Sequence, residues 1–202
     1  MDKTGVAEIN IRLARPDDAT GIRSIMSWFT AKTTCSWRYR PMDLAETDQW
    51  LDRHMNRPEH KVWVADKDGQ VIGYGCLSDF RAPEGYWPCA ENSIYVLPEY
   101  SGRGIGSQLM ERILTQAVQS NLQVIVAAID SSNKDSIRFH QRFGFVRSGY
   151  LRRVGWKQDR WLNLLFMTCD LNQERYRNQP NAGNDLNEAR SHEMGSEEAE
   201  KG

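Results

Sequence analysis

ENSIYVLPEYSGRGIGSQLMERILTQAVQS, Glu91 to Ser120, is the stretch from which the rest of the chain is read. Its apolar run Ser93 to Leu97 is closed by Pro98, which lacks a backbone N–H and so ends strand pairing. A loop follows, Ser101-Gly102-Arg103-Gly104-Ile105-Gly106. Beyond it Ile105, Leu109, Met110, Ile113, Leu114, Ala117 and Val118 recur at the spacing of a helix with one buried face. The order is strand, glycine-rich turn, helix.

Such a turn brings unpaired backbone N–H groups to the mouth of a helix whose dipole is positive there, and glycines leave the approach open. That is a cradle for a phosphate or diphosphate. A plainer reading competes with it, because glycines also let a helix pack closely on a sheet. Two common nucleotide motifs are excluded: a Walker loop needs Gly-Lys followed by Ser or Thr, and Gly102-x-Gly104-x-Gly106 lacks the dinucleotide spacing.

Outward from this centre, helices and strands alternate. Ile9, Ile11 and Leu13 alternate with polar neighbours as in a half-buried strand, Pro16 ends it, and Asp17 or Asp18 can cap a helix through about Trp28. An irregular segment then holds Trp37, Arg38, Tyr39 and Arg40, a composition suited to a substrate rim or to packing the loop onto the body. Leu44, Leu51 and Met55 mark a second helix that stops near Pro58, with His54 read as a surface or boundary residue. Lys61 to Asp66 and Gln70 to Leu77 are strands joined through Lys67-Asp68-Gly69, and Asp-Gly is a strong hairpin signal. Leu122 to Ile129, LQVIVAAI, reads as a strand buried on both faces. Asp130 to Asn133 supplies capping chemistry for a helix from Lys134 to Phe143, which Gly144 ends. Phe145 to Tyr150 and Trp161 to Leu171 read as closing strands around a basic turn, LRRVGWKQDR. The pattern predicts one mixed α/β domain over 1–171 with helices on both faces of the sheet. From Asn172 the composition turns polar, so 172–202 is expected to be a flexible tail.

With 202 residues and a formal net charge of -1, the chain offers no electrostatic case for nucleic acid or an anionic membrane. No apolar run approaches the ~20 residues of a membrane span, and the N-terminus lacks a signal peptide's apolar core, so a cytoplasmic protein is expected. Cys35, Cys76, Cys89 and Cys169 form no CxxC pair and read as buried reduced thiols. The four histidines are equally scattered, so no metal-ligand spacing appears.

Ser101 to Gly106 resembles the acyl-CoA signature of the GNAT superfamily of N-acetyltransferases: Arg or Gln, any two residues, Gly, any residue, Gly or Ala. Ser101 departs from it, and Arg103 can supply the missing positive charge. Ala90-Glu91-Asn92-Ser93-Ile94-Tyr95-Val96, and the run Ile129 to Phe145, are similar to one branch, the phosphinothricin and methionine sulfone/sulfoximine N-acetyltransferases. The resemblance covers about Ile9 to Leu171. It implies a largely antiparallel twisted sheet whose strands four and five splay apart, with acetyl-CoA between them as acetyl donor, and a homodimer.

Acetyl transfer to an amine needs a base for the ammonium, polarisation of the thioester carbonyl, and tolerance of the departing thiolate. Glu91, the only acid between Gly85 and Pro98, opens the central strand; alone it would read as a strand-end carboxylate in water, but the resemblance makes it the base. By the same resemblance, backbone groups of Ile94, Tyr95 and Val96 pair with the acetyl and pantetheine part. Ser101, Gly102, Arg103, Gly104, Ile105, Gly106 and Ser107 cradle the diphosphate, and Asn133 and Ser136 contact the cofactor. His140 falls near the sulfur, where many relatives carry a tyrosine acid. Arg81, Trp37 and Tyr39 are the expected substrate contacts, for a small amino-acid analogue with a carboxylate and an oxoanion. No cysteine has a nucleophile's setting, so transfer is expected to be direct. Two alternatives remain: another amine as acceptor, and a binding module without turnover.

Overall fold

A computed structural model describes residues 8–173 and 176. Seven strands form one sheet in the order β1-β2-β3-β4-β5-β7-β6: β1 (Ile9–Leu13), β2 (Val62–Lys67), β3 (Gln70–Asp79), β4 (Cys89–Val96), β5 (Val124–Asp130), β6 (Val146–Lys157) and β7 (Arg160–Asp170). Every neighbouring pair is antiparallel except β4 and β5. α1 (Ala19–Lys32) and α2 (Leu44–Met55) cover one face, where Ile22, Ile25 and Leu51 pack on Val62, Val64, Tyr74 and Cys76. α3 (Ile105–Gln119) and α4 (Lys134–Arg142) cover the other, where Met110, Ile113 and Ile137 meet Ile125, Ala127 and Ile129. β3 is buried along most of its length, as a strand covered on both faces must be.

Asp68 and Gly69 turn between β2 and β3 with positive φ of 53° and 83°, the left-handed geometry that the Asp-Gly pair predicts. β4 and β5 pair only through Cys89↔Val124, Ala90↔Ile125 and Glu91↔Val126, and then separate. The expected splay is therefore present, and it begins at Glu91.

Four expectations are corrected. The basic run after Tyr150 is not a turn: β6 continues through it to Lys157, and the chain reverses at Gln158 and Asp159, both at positive φ. Register shifts between Leu151 and Gly155 absorb extra residues there, and exposure on both faces removes the alternation by which a strand is recognised. His54 is buried rather than on the surface: Nδ1 lies 2.8 Å from the Trp50 carbonyl oxygen and Nε2 3.3 Å from the Ser78 hydroxyl, and burial pulls its pKa down. Of the thiols, Cys76 and Cys169 are buried, but Cys35 is exposed and Cys89 half-buried. Tyr176, assigned from composition to the tail, is buried in the core and donates to the Phe143 carbonyl at 2.7 Å. The rest of the expected tail after Gln173 lies outside the described residues.

Candidate active site

The splay opens into a cleft of about 860 Å³. Leu97 N–H bonds the Ile72 carbonyl, and the carbonyls of Tyr95 and Ser93 lie close to Gly73 and Gly75 of β3. An antiparallel ladder alternates, so the odd residues from Glu91 to Leu97 turn their main chain to β3. The N–H and C=O groups of Ile94 and Val96 then face the gap left by β5. Tyr95 differs from the expectation: its main chain faces β3, while its side chain lines the cleft and packs on Phe29 and Tyr74.

Side chains alternate across the strand as well. Glu91 shares the α1/α2 face with Ser93 and Tyr95, whereas Asn92 reaches α4 on the opposite face, with its amide nitrogen 3.1 Å from His140 Nε2. Glu91 and His140 both line the cleft, on opposite sides of the sheet. Burial pushes the Glu91 carboxyl up from its ordinary range, and the charge of Arg81 opposes the shift. Arg81 also lines the cleft, with its guanidinium stacked 4.4 Å from the centre of the Phe80 ring.

At the other end lies the glycine turn. Gly102 and Gly104 have φ of 76° and 80°, and a Cβ on either would meet no atom within 4 Å. Gly104 is the N-cap of α3, its carbonyl takes the first helical bond from Gln108, and no acid occupies the first turn. The N–H groups of Ile105, Gly106 and Ser107 therefore have no helical partner. Ser101, Gly102 and Gly106 line the cleft. The Ile105 side chain is buried in the core, so only its backbone is available. Arg103 is not among the lining residues; its guanidinium bonds the Glu99 carbonyl at 3.3 Å and lies over Tyr100.

Asn133 caps α4, accepting from Ser136 N–H at 3.0 Å and donating to Cys35 Sγ at 3.4 Å, and both Asn133 and Ser136 line the cleft. Trp37 lines it too, seated on Gly155. Tyr39 does not: it is exposed and its hydroxyl donates to the Trp156 carbonyl at 2.6 Å. The residue between them, Arg38, was named with this segment but not among the expected substrate contacts, yet it lines both the cleft and an adjoining chamber of about 170 Å³. Ser78, Ser93, Tyr74 and Tyr95 also border that chamber, on the face that carries Glu91. The signal lay in composition: two arginines interleaved with aromatic residues in one irregular segment. The segment is held by Lys157, whose Nζ donates to the Thr30 carbonyl at 2.7 Å and to that of Ser36, and by the Thr34 hydroxyl on Asp130. Burial would raise the Asp130 carboxyl, but hydrogen bonds from Thr34 and Ser132 and the charge of Arg160 outweigh it and hold it low.

An opening between two parallel neighbours, with anion donors at one end and a buried carboxyl at the other, suits a transferase whose donor is long and carries phosphates. The chain belongs to the acetyltransferase (GNAT) family, whose profile matches residues 22–145. It is 37% identical over 166 residues to the L-methionine sulfoximine/L-methionine sulfone acetyltransferase of Pseudomonas aeruginosa, an alignment covering 82% of this chain and 96% of that one. An N-acetyltransferase of Staphylococcus aureus superposes with a TM-score of 0.79 at 34% identity, covering 82% of this chain and 99% of that one. A phosphinothricin acetyltransferase from Sinorhizobium meliloti in complex with acetyl-CoA superposes with a TM-score of 0.76 at 28% identity, covering 80% and 88%. Among the described residues no helix is long and apolar enough to cross a membrane.

Proposed function

We propose that this enzyme transfers the acetyl group of acetyl-CoA directly to the primary amine of a small amino-acid analogue: methionine sulfoximine, methionine sulfone or phosphinothricin. The observation that carries this reading is Glu91, a carboxyl whose pKa is raised by burial at the point where β4 leaves β5. The cleft fits the donor. Unpartnered N–H groups at the start of α3 would hold the diphosphate, with backbone conformations at Gly102 and Gly104 that keep side chains out of the way. The open edge at Ile94 and Val96 would pair with the pantetheine arm as an added strand does. Acetyl-CoA supplies the acetyl group as an activated thioester.

On the α1/α2 face Glu91 takes a proton from the acceptor's ammonium, and a carboxyl of raised pKa is suited to that exchange. An N–H of the open edge polarises the thioester carbonyl. Arg38 and Arg81 provide the charge that an acceptor carboxylate or oxoanion requires, and Trp37 walls the acceptor side. Val146, Tyr150, Leu151, Val154, Trp156 and Trp161 leave β6 and the start of β7 with exposed apolar side chains, which a second copy of the chain would cover, so we assign a homodimer. Sedimentation equilibrium checks this, and a monomer at assay concentrations contradicts it. We place the enzyme in the cytoplasm, a reducing compartment in keeping with the exposed thiol of Cys35.

The test is free-thiol release from acetyl-CoA across a panel of amines. The expected result is turnover with the three analogues, slowed about 100-fold or more by Glu91→Gln while acetyl-CoA affinity stays within a few-fold. Binding of acetyl-CoA without turnover of any amine would instead identify a module that only binds the donor.

A further inference from the structure

His140 sits in α4 with only 7% of its surface exposed, and the groups its ring meets among the described residues, Ser136, Asn92, Phe139 and Phe145, are uncharged. Nδ1 lies 2.8 Å from the Ser136 carbonyl oxygen and 3.4 Å from the Ser136 hydroxyl. Nε2 lies 3.1 Å from the side-chain nitrogen of Asn92 in β4, and the Phe139 and Phe145 rings meet the imidazole edge-on, with centroids at 5.3 and 5.0 Å. A carbonyl oxygen only accepts, so the ring proton resides on Nδ1. In the neutral ring Nε2 is then an acceptor, and the Asn92 amide N–H is its donor. Burial lowers the His140 pKa, which keeps the ring neutral.

The arrangement leaves a trace on Asn92. Its Oδ1 is buried with no hydrogen-bond partner among the described residues. Turning the amide over would satisfy nothing, because Oδ1 would then face the lone pair of Nε2. The orphaned oxygen is the consequence of an amide whose orientation is dictated by the histidine.

We propose that Asn92 and His140 form a clamp in which His140 is a hydrogen-bond acceptor and positioning residue, and not the acid that protonates the departing thiolate. The proposal rests on the reading of the cleft as the acyl-transfer site. Asn92 follows Glu91, the last residue paired with β5. By fixing the Asn92 side chain to α4, the clamp sets the rotation of β4 as it enters the splay. That rotation aims the Glu91 carboxylate on one face and the Ile94 N–H into the gap. No acid is needed for the leaving group, since a thiol of pKa ~8.5 departs readily as thiolate near neutral pH. In balance, the new C–N bond forms as the C–S bond breaks with its electron pair going to sulfur. One ammonium proton goes to Glu91, and the second passes to the thiolate or to solvent.

The experiment has two arms. In the full-length protein, imidazole ¹⁵N NMR of His140, assigned by its loss in His140→Gln, is expected to report a protonated Nδ1 and an unprotonated Nε2 throughout the assay pH range. A protonated Nε2 overturns the proposal. In steady-state kinetics, His140→Ala is expected to lower kcat about 10-fold or more, and His140→Gln, which keeps an acceptor near the Nε2 position, to recover most of that loss. Both are expected to keep the wild-type alkaline limb of the pH profile, and Asn92→Ala is expected to match His140→Ala. A His140→Gln enzyme as slow as His140→Ala, with the alkaline limb gone, makes His140 the acid and defeats the clamp. Absence of turnover with every amine would sink the acyl-transfer reading, while the NMR arm would still decide the tautomer.

Discussion

Gly155 lies beneath the indole of Trp37, and giving it a single methyl group tests how the acceptor side of the cleft is built. A Cβ at 155 would stand 2.5 Å from Cζ3 and 2.6 Å from Cε3 of that ring. This is about 1 Å inside the ~3.5 Å at which carbon atoms begin to attract. Gly155 does not have positive φ, so the backbone accepts alanine and the whole effect is steric. The indole must withdraw, and its segment resists, because Lys157 holds the Ser36 carbonyl on one side and Tyr39 bonds the Trp156 carbonyl on the other. Overpacking of this kind costs ~1–3 kcal/mol. For a chain of this size that lowers Tm by about 2–12 °C. Arg38 moves with Trp37, and a ~1 Å displacement near the chemistry reduces rate by up to ~100-fold. Gly155→Ala should therefore depress kcat/KM for the amine while leaving acetyl-CoA binding near the wild-type value, because the glycine cradle is built from separate residues. Thermal melts and steady-state kinetics with each substrate varied measure both effects. In a Trp37→Ala background the stability cost of Gly155→Ala should vanish. A cost that survives removal of the indole, or a kinetic defect confined to acetyl-CoA, would falsify this account of the loop.

The remaining predictions concern pH and the cradle. Glu91 has its folded pKa raised above the unfolded value, so its carboxyl is favoured protonated in the fold; stability is undiminished below the unfolded pKa and is lost as pH rises through the folded one. Glu91→Gln should accordingly match the wild-type Tm below about pH 4 and exceed it by a growing margin up to neutral pH, where it levels off; a margin that shrinks with rising pH contradicts the burial of this group. Gly102→Ala and Gly69→Ala place alanine at similar φ, 76° and 83°, in open space. Each should lose ~1–2 kcal/mol of stability in chemical denaturation, but only Gly102→Ala should weaken acetyl-CoA binding in calorimetry, by about 10-fold, equivalent to ~1.4 kcal/mol.

Much of this molecule is legible in short-range chemistry. Asp68-Gly69 announces its hairpin, Pro98 closes β4, and LQVIVAAI announces β5, which begins at Val124 and is mostly buried save Ala128, because each signal is a property of a few adjacent residues. The glycine turn before α3 is legible for the same reason, since glycine spacing and the helix that follows are contiguous in the chain. What escapes is made by distant pairs. Whether Tyr39 faces the acceptor is decided by the Trp156 carbonyl, and Trp37 lies where Gly155 leaves room for it. Neither partner is visible from the loop itself. His54 escapes because Ser78, on β3, comes to its ring only in the fold. β6 escapes because exposure on both faces erases the pattern that betrays a strand.

The parting of β4 from β5 means that the sheet carries a seam down its middle, and such a seam is mended only by a guest. Amide protons of Ile94 and Val96 should accordingly exchange with solvent quickly in the empty protein and slowly once the seam is filled, so that the most central strand of the fold owes part of its rigidity to a molecule that leaves after every turnover.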